Sequence, residues 1–323
     1  MYKNLNAAVL GVSGRQSELI ELALTYGFRG MDVNMTELLK RAESRGTDWA
    51  ARFIRSANNS SNFDAGGFDL PICWQKSADV FNTDMEKMDA MLELCSIMGI
   101  TRCQTAVCAT NDEMPYHEYF EAARERLGQI GERLATKNIK MGLELQSAPS
   151  QREVGQHQFI YQAEAILTLI EMVGADNVGL ALDTWFWRVG EGGLDQLSEL
   201  DGKRFISVRL ADLPASADPS TVEIDQRALP GESGSIDFPA LMRMLSEKEF
   251  DGPVTVYAKP GAIEGTRDKI VQKAGAIIDD MWREGGLNRA GKVADVAPVT
   301  PVEEPIEPEV DAEAEADPVE AKA

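Results

Sequence analysis

Four apolar runs between residues 139 and 258 of this 323-residue chain give way to residues able to do chemistry. "IKMGLEL" (139–145) brings Glu144 and then Gln146, and "NVGLALD" (177–183) ends in Asp183 and Thr184. "FISVRLAD" (205–212) carries Arg209 and Asp212, and "GPVTVYA" (252–258) brings Tyr257 and then Lys259. Glu144 and Asp183 form the best pair. Each is a carboxylate closing an otherwise apolar segment, so the two are expected to converge and serve acid–base or metal chemistry. The structural alternative for either one alone is a helix cap or a loop hydrogen bond. Facing carboxylates need a counter-charge, and at 4 Å each unit pair is worth about 4 kcal/mol at an effective dielectric of about 20. Arg209 can supply it. A guanidinium has only donors and stays protonated, so Arg209 cannot ligate a cation; it is expected to pair with Glu144, Asp183 or both, in two-pronged fashion.

Other candidates carry less. Only His117 and His157 are present, neither at a strand end; His157, in the loop after Glu144, is the better substrate contact. Trp185, followed by Phe186 and Trp187, suits stacking on a sugar face as well as barrel packing. "PGESGS" (230–235) offers N–H groups to a phosphate, and Lys259 suits an anionic group or simple exposure. Met85, Met88, Met91, Leu92 and Cys95, spaced by three and four, read as a core stripe. Cys73, Cys95, Cys103 and Cys108 lack CxxC spacing and read as reduced core thiols.

These residues must be positioned by something, and the pattern that recurs is a short apolar run followed by a longer segment of helical periodicity, eight times over. Strands are expected at 6–12, 28–34, 66–74, 102–107, 139–145, 177–183, 205–212 and 252–258. Helices are expected at 15–26, in one piece through 38–55, at 84–98, 116–136 and 159–173, from Asp237 as cap with Pro239 in the first turn, and closing near Arg283. The fold class that follows is α/β, a (β/α)8 TIM barrel over residues 1–287. In such barrels the site lies at the C-terminal ends of the strands, where the residues above stand. Residues 288–323 are rich in Pro, Ala and Glu and read as a disordered tail.

The formal charge is −21, and the tail holds ten Asp and Glu against three Lys and Arg, leaving −14 for the body. Such acidity argues against nucleic acid and against anionic membrane as partners. No run approaches 18 apolar residues and no secretory leader is apparent, so a cytoplasmic protein is expected. A homo-oligomer is compatible with all of this.

Several segments resemble the xylose isomerase-like sugar-phosphate isomerases and epimerases, over almost the whole barrel. "GLELQ" (142–146) is similar to the strand-five segment with its metal-binding Glu, and "NVGLALDTWFW" (177–187) to the segment with the metal-binding Asp. "SVRLADLP" (207–214) and "LPGESGSIDFPALMRML" (229–245) resemble the strand-seven segment, its loop and helix, and "FDGPVTVYAKP" (250–260) the last strand. The resemblance implies a sugar or polyol substrate, a proton moved between adjacent carbons, and Mn²⁺, Mg²⁺ or Co²⁺ held by Glu144 and Asp183. It implies two further ligands that do not carry over, since Arg209 stands for the strand-seven His or Gln and Tyr257 or Val256 for the final Glu. The His that follows the metal-binding Asp by three is Phe186 here. Two readings follow: an isomerase or epimerase with an atypical metal site completed by Gln146, Asp212 or water, or a non-catalytic relative in which Arg209 replaces the metal and the mouth binds an anionic metabolite or a protein. A third, interaction through the acidic tail, would leave the mouth without a formed pocket.

Overall fold

The computed structural model describes residues 1–294; most of the expected tail lies outside them. Eight parallel strands form one sheet: β1 (Tyr2–Leu5), β2 (Gly30–Met31), β3 (Asp64–Ala65), β4 (Arg102–Val107), β5 (Lys140–Leu145), β6 (Val178–Asp183), β7 (Phe205–Leu210) and β8 (Pro253–Val256). Apart from β3 and β4, sequence neighbours pair with each other, with a register shift between Leu180 and Ala181 where β6 meets β7, and β1 pairs with β8. The ring closes between β3 and β4 through the chain just past β3: Gln104 donates to the Phe68 carbonyl at 3.0 Å, Leu70 donates to that of Gln104 at 2.8 Å, and Asp69 bridges Gln104. Strands β6 and β7 are buried at every residue because one face meets the barrel interior and the other the helices, which is why both are mostly apolar, with Asp183, Ser207 and Arg209 as their buried polar residues.

The helices wrap this ring: α1 (Gln16–Thr25), α2 (Met35–Arg45), α3 (Thr47–Ser61), α4 (Ala78–Met85), α5 (Met88–Met98), α6 (Tyr116–Ala135), α7 (Ala163–Val173), α8 (Thr184–Val189), α9 (Leu194–Glu199), α10 (Phe238–Glu247) and α11 (Arg267–Glu284). The Met stripe packs in the core, with Met88, Met91, Leu92, Cys95 and Met98 all buried on α5. Asp237 caps α10 by accepting from the Ala240 N–H at 2.9 Å. No helix among the described residues is long and apolar enough to cross a membrane. Leu287 bridges Val293 across a tight turn closed by Asn288 and Lys292, where the barrel chain ends.

Three expectations are corrected. The run at 6–12 is not a strand but the loop after β1, folded on itself by Val12 donating to Ala7 and Gly11 to Ala8. Its apolar residues line the mouth instead of pairing. The single helix expected through 38–55 is two, because Gly46 sits between α2 and α3 at φ 88 and ψ 153. That region is open only to glycine, so Gly46→Ala is expected to cost about 1–3 kcal/mol, read as a lower denaturation midpoint at unchanged slope. No neighbour lies within 4 Å of an added Cβ, so the loss measures backbone strain alone. The third helix is likewise split into α4 and α5.

Candidate functional site

Alternation within β5 and β7 turns Glu144 and Arg209, on strands either side of β6, into the interior of the ring near its C-terminal end. Glu144 is 7% and Arg209 4% exposed. The guanidinium spans two carboxylates: Nη1 donates to Glu144 Oε2, and Nη2 donates to Asp69 Oδ1 at 3.0 Å. Asp69 stands on the ring-closing stretch after β3 and receives the Gln104 side-chain amide at 3.0 Å. The Tyr257 ring lies 4.4 Å from the Arg209 guanidinium carbon. These residues, with Gln75 and Gln146, wall a cavity of about 380 Å³.

Asp183 is used differently. Its Oδ1 accepts from the Trp185 and Phe186 N–H groups at 3.1 and 3.0 Å, capping α8, while Oδ2 accepts from Arg227 Nη1 at 2.7 Å. The Asp183 side chain is fully buried. Arg209 therefore pairs with Glu144 and Asp69 rather than with Asp183, as a fork across two partners rather than a two-pronged grip on one. Arg227 was not singled out from the sequence. It stands 44 residues from Asp183, in the irregular stretch between β7 and α10, and enters a buried cage of Trp185, Phe186 and Tyr257 rings at 5.0, 4.5 and 5.5 Å.

The remaining candidates separate. Trp185 is completely buried against Phe186, Ala211 and Leu213, so its ring is packing and cannot stack on a sugar. His157 pairs with Asn111 in a two-stranded ribbon (Thr110–Asn111 with His157–Gln158) and does not line the central cavity. The exposed Lys259 donates to the Asp225 carbonyl at 2.7 Å, tying two loops. His117, on the first turn of α6, lies edge-on to Tyr116. Asp212 accepts from the Leu213 N–H and, at 3.4 Å, from that of Ser233, so a carboxylate already occupies the "PGESGS" loop where a phosphate was considered. Tyr257 alone of these joins Glu144 and Arg209 in the cavity wall.

Electrostatics follow from burial. Desolvation pushes the Glu144 carboxyl up to about 7; Arg209 opposes that rise, Asp183 adds to it and Arg227 opposes it again. Burial pulls on Arg209 in the uncharged direction, but Glu144, Tyr257 and Asp69 more than offset it and keep the guanidinium charged. Burial also lifts the Tyr257 phenol to about 12. Asp32, held by the amides of Asn4 at 2.7 Å and Asn6 at 2.9 Å, is raised by burial against the pull of Arg209.

A divalent ion does not fit these residues. Glu144 is covered on one oxygen by a permanent cation, Asp183 is spent on a cap and an arginine, and no three His, Cys, Asp or Glu converge among the described residues. A cation beside Arg209 would add repulsion to missing ligands.

Residues 20–278 match the family described as xylose isomerase-like TIM barrels. An inosose isomerase of Bacillus subtilis is 23% identical over 60% of this chain and 66% of its own length, so the match leaves about a third of that relative uncovered. Among solved structures, a xylose isomerase domain protein of Alicyclobacillus acidocaldarius superposes with a TM-score of 0.76 at 20% identity, covering 88% of this chain and 98% of the other. The IOLI protein, solved with a zinc atom, gives 0.72 at 18% identity over 87% and 98%. With closed ring, strand-end site and family match in agreement, the chain belongs to the xylose isomerase-like TIM barrels.

Proposed function

We propose that this protein isomerises a small sugar or polyol at the C-terminal mouth of its barrel, with Glu144 as the base and Arg209 in place of a metal. The observation that carries this reading is the division of labour within one carboxylate. Glu144 Oε2 is fixed by Arg209, whereas Oε1 accepts no hydrogen bond among the described residues, and Glu144 stands in the wall of the central cavity. An oriented oxygen on a carboxyl lifted toward neutrality suits proton transfer. Oε1 takes the proton from the hydroxyl-bearing carbon beside a carbonyl and the electron pair moves onto the carbonyl oxygen, giving an enediolate; the hydroxyl proton passes to that oxygen, and Oε1 returns its proton to the former carbonyl carbon as the neighbouring oxygen becomes the new carbonyl. Arg209 has five N–H donors and uses two, which leaves donors for the oxygen that gains charge. Tyr257 keeps its proton and adds a neutral hydroxyl to the same wall.

Withdrawal of Asp183 leaves Glu144, buried, and Asp69, largely exposed, as the carboxylates that Arg209 holds at the mouth, and it is the buried one to which we assign the proton transfer. The same withdrawal supports a second reading, a barrel that binds its sugar without turnover. Purified protein assayed against a sugar panel, with and without chelator, tests both. Turnover that survives chelation, with no stoichiometric uptake of Mn²⁺ in calorimetry, is the expected result. Stoichiometric Mn²⁺ binding abolished by Glu144→Ala would contradict the arginine-for-metal reading, and sugar binding without product would leave the second.

A further inference from the structure

The central cavity does not stand alone. It shares Asp69 and Gln104 in its wall with a larger one of about 560 Å³, which runs beneath the loop after β1 and over the start of α2. Each by itself is in the range of roughly 300–1,000 Å³ that receives a whole small molecule, and the two adjoin at Asp69 and Gln104, so side by side they offer room for two linked units rather than one.

The lateral cavity is built for hydroxyl groups. Asp32 and Asp69 contribute acceptor oxygens, and Asp32 is held from behind by Asn4 and Asn6 so that it cannot turn away. Gln16 lines the same space, and its Oε1 is buried with no hydrogen-bond partner among the described residues. Charge narrows the class further. Across both cavities the walls carry four carboxylates, Asp32, Glu37, Asp69 and Glu144, against two arginines, Arg41 and Arg209. A phosphate or carboxylate on the ligand would enter a net negative field, which disfavours the sugar phosphate and the anionic metabolite considered from the sequence.

We infer that the ligand is an uncharged compound of two linked polyhydroxylated units, the reacting one over Glu144 and the second in the lateral cavity beside Asp32 and Gln16. This rests on the isomerase reading for the reacting unit but places the second unit independently of it.

The test is calorimetric titration of the full chain with five neutral disaccharides (maltose, cellobiose, lactose, sucrose, trehalose), the monosaccharides glucose, galactose and fructose, and glucose 6-phosphate. It is repeated on Ala8→Trp and Ser13→Trp. Both residues are exposed and line only the lateral cavity, so a bulky ring there fills it without touching the centre. The expected result is at least one disaccharide binding tenfold or more tightly than any monosaccharide, and both variants falling to the monosaccharide level with monosaccharide affinity unchanged. Disaccharides no tighter than monosaccharides, or a preference that survives both variants, would overturn the second unit while leaving the isomerase reading in place. Tighter binding of glucose 6-phosphate than of glucose would overturn the uncharged class. Failure of every neutral sugar to bind would overturn both this inference and the isomerase reading.

Discussion

Arg227→Met is expected to lower the unfolding free energy by about 3–5 kcal/mol, measured by chemical denaturation, because it strands the Asp183 carboxylate in the interior. Asp183 and Arg227 expose 0% and 4% of their side chains, and Arg227 keeps Nε and Nη2 without partners inside its aromatic cage. The pair as a whole therefore contributes little: desolvation of two charges is offset by one close ion pair and by contact of the guanidinium with ring faces. Breaking it is what costs. Asp183→Asn should lose a similar amount, since it keeps the α8 cap but strands the buried Arg227 guanidinium, while the double variant Asp183→Asn with Arg227→Met should recover much of the loss. A loss below about 1 kcal/mol for Arg227→Met would show that Asp183 is solvated or finds another partner, and would return it to the list of mouth carboxylates.

The second large effect concerns Glu144. Glu144→Gln keeps the shape and a hydrogen bond to Arg209 but removes the base, so turnover is expected to fall by roughly 10²–10⁴-fold. Because burial raises this carboxyl to about 7, the wild-type kcat/KM should climb as pH rises through that value and level off above it. Stability moves the other way. A carboxyl whose folded pKa is raised above its ordinary 4.5 contributes stability that is fully present below 4.5 and is lost as pH rises through about 7. The Gln variant should lack that slope. A wild-type rate profile flat between pH 5 and pH 9 would remove Glu144 from the proton-transfer role.

The two effects are separable because the two arginines act on different carboxylates. Arg209 orients a group that still faces the cavity, whereas Arg227 removes one from it. Arg209 stands between Glu144 and Asp69 while Arg227 takes Asp183 out of the cavity wall, and this is the arrangement that sets the present chain apart from what its motifs imply.

Much of this was legible in the sequence. The barrel followed from eight alternations of apolar run and helical period, and the five strands from β4 to β8 were placed within two residues of their observed ends. The presence of Arg209 at a ligand position, and its pairing with a strand-end carboxylate, follow from strand register, which is local and periodic. The first third of the chain was read less well. β2 and β3 are two residues each, the apolar stretch at 6–12 is loop, and Gly46 breaks a helix that its neighbours would continue. Strands so short are fixed by pairing with neighbours far along the chain, and single-residue breaks depend on a backbone angle that composition does not record.

What the sequence by itself determined is the fold and the end of the barrel at which Glu144, Asp183 and Arg209 stand, since both rest on repeating patterns within a few residues; it took Glu144 with Asp183 as the best pair and Arg209 as the counter-charge to either or both. What only the tertiary structure decided is the fate of Asp183. Its partner Arg227 lies in an irregular loop with no period to set its direction, and the choice between substrate, metal and ion pair depends on which distant side chain reaches a buried oxygen first in space. The packing of Trp185 and Phe186 around that guanidinium was invisible for the same reason: burial is a property of the whole ring of strands and loops, and no local pattern of residues carries it.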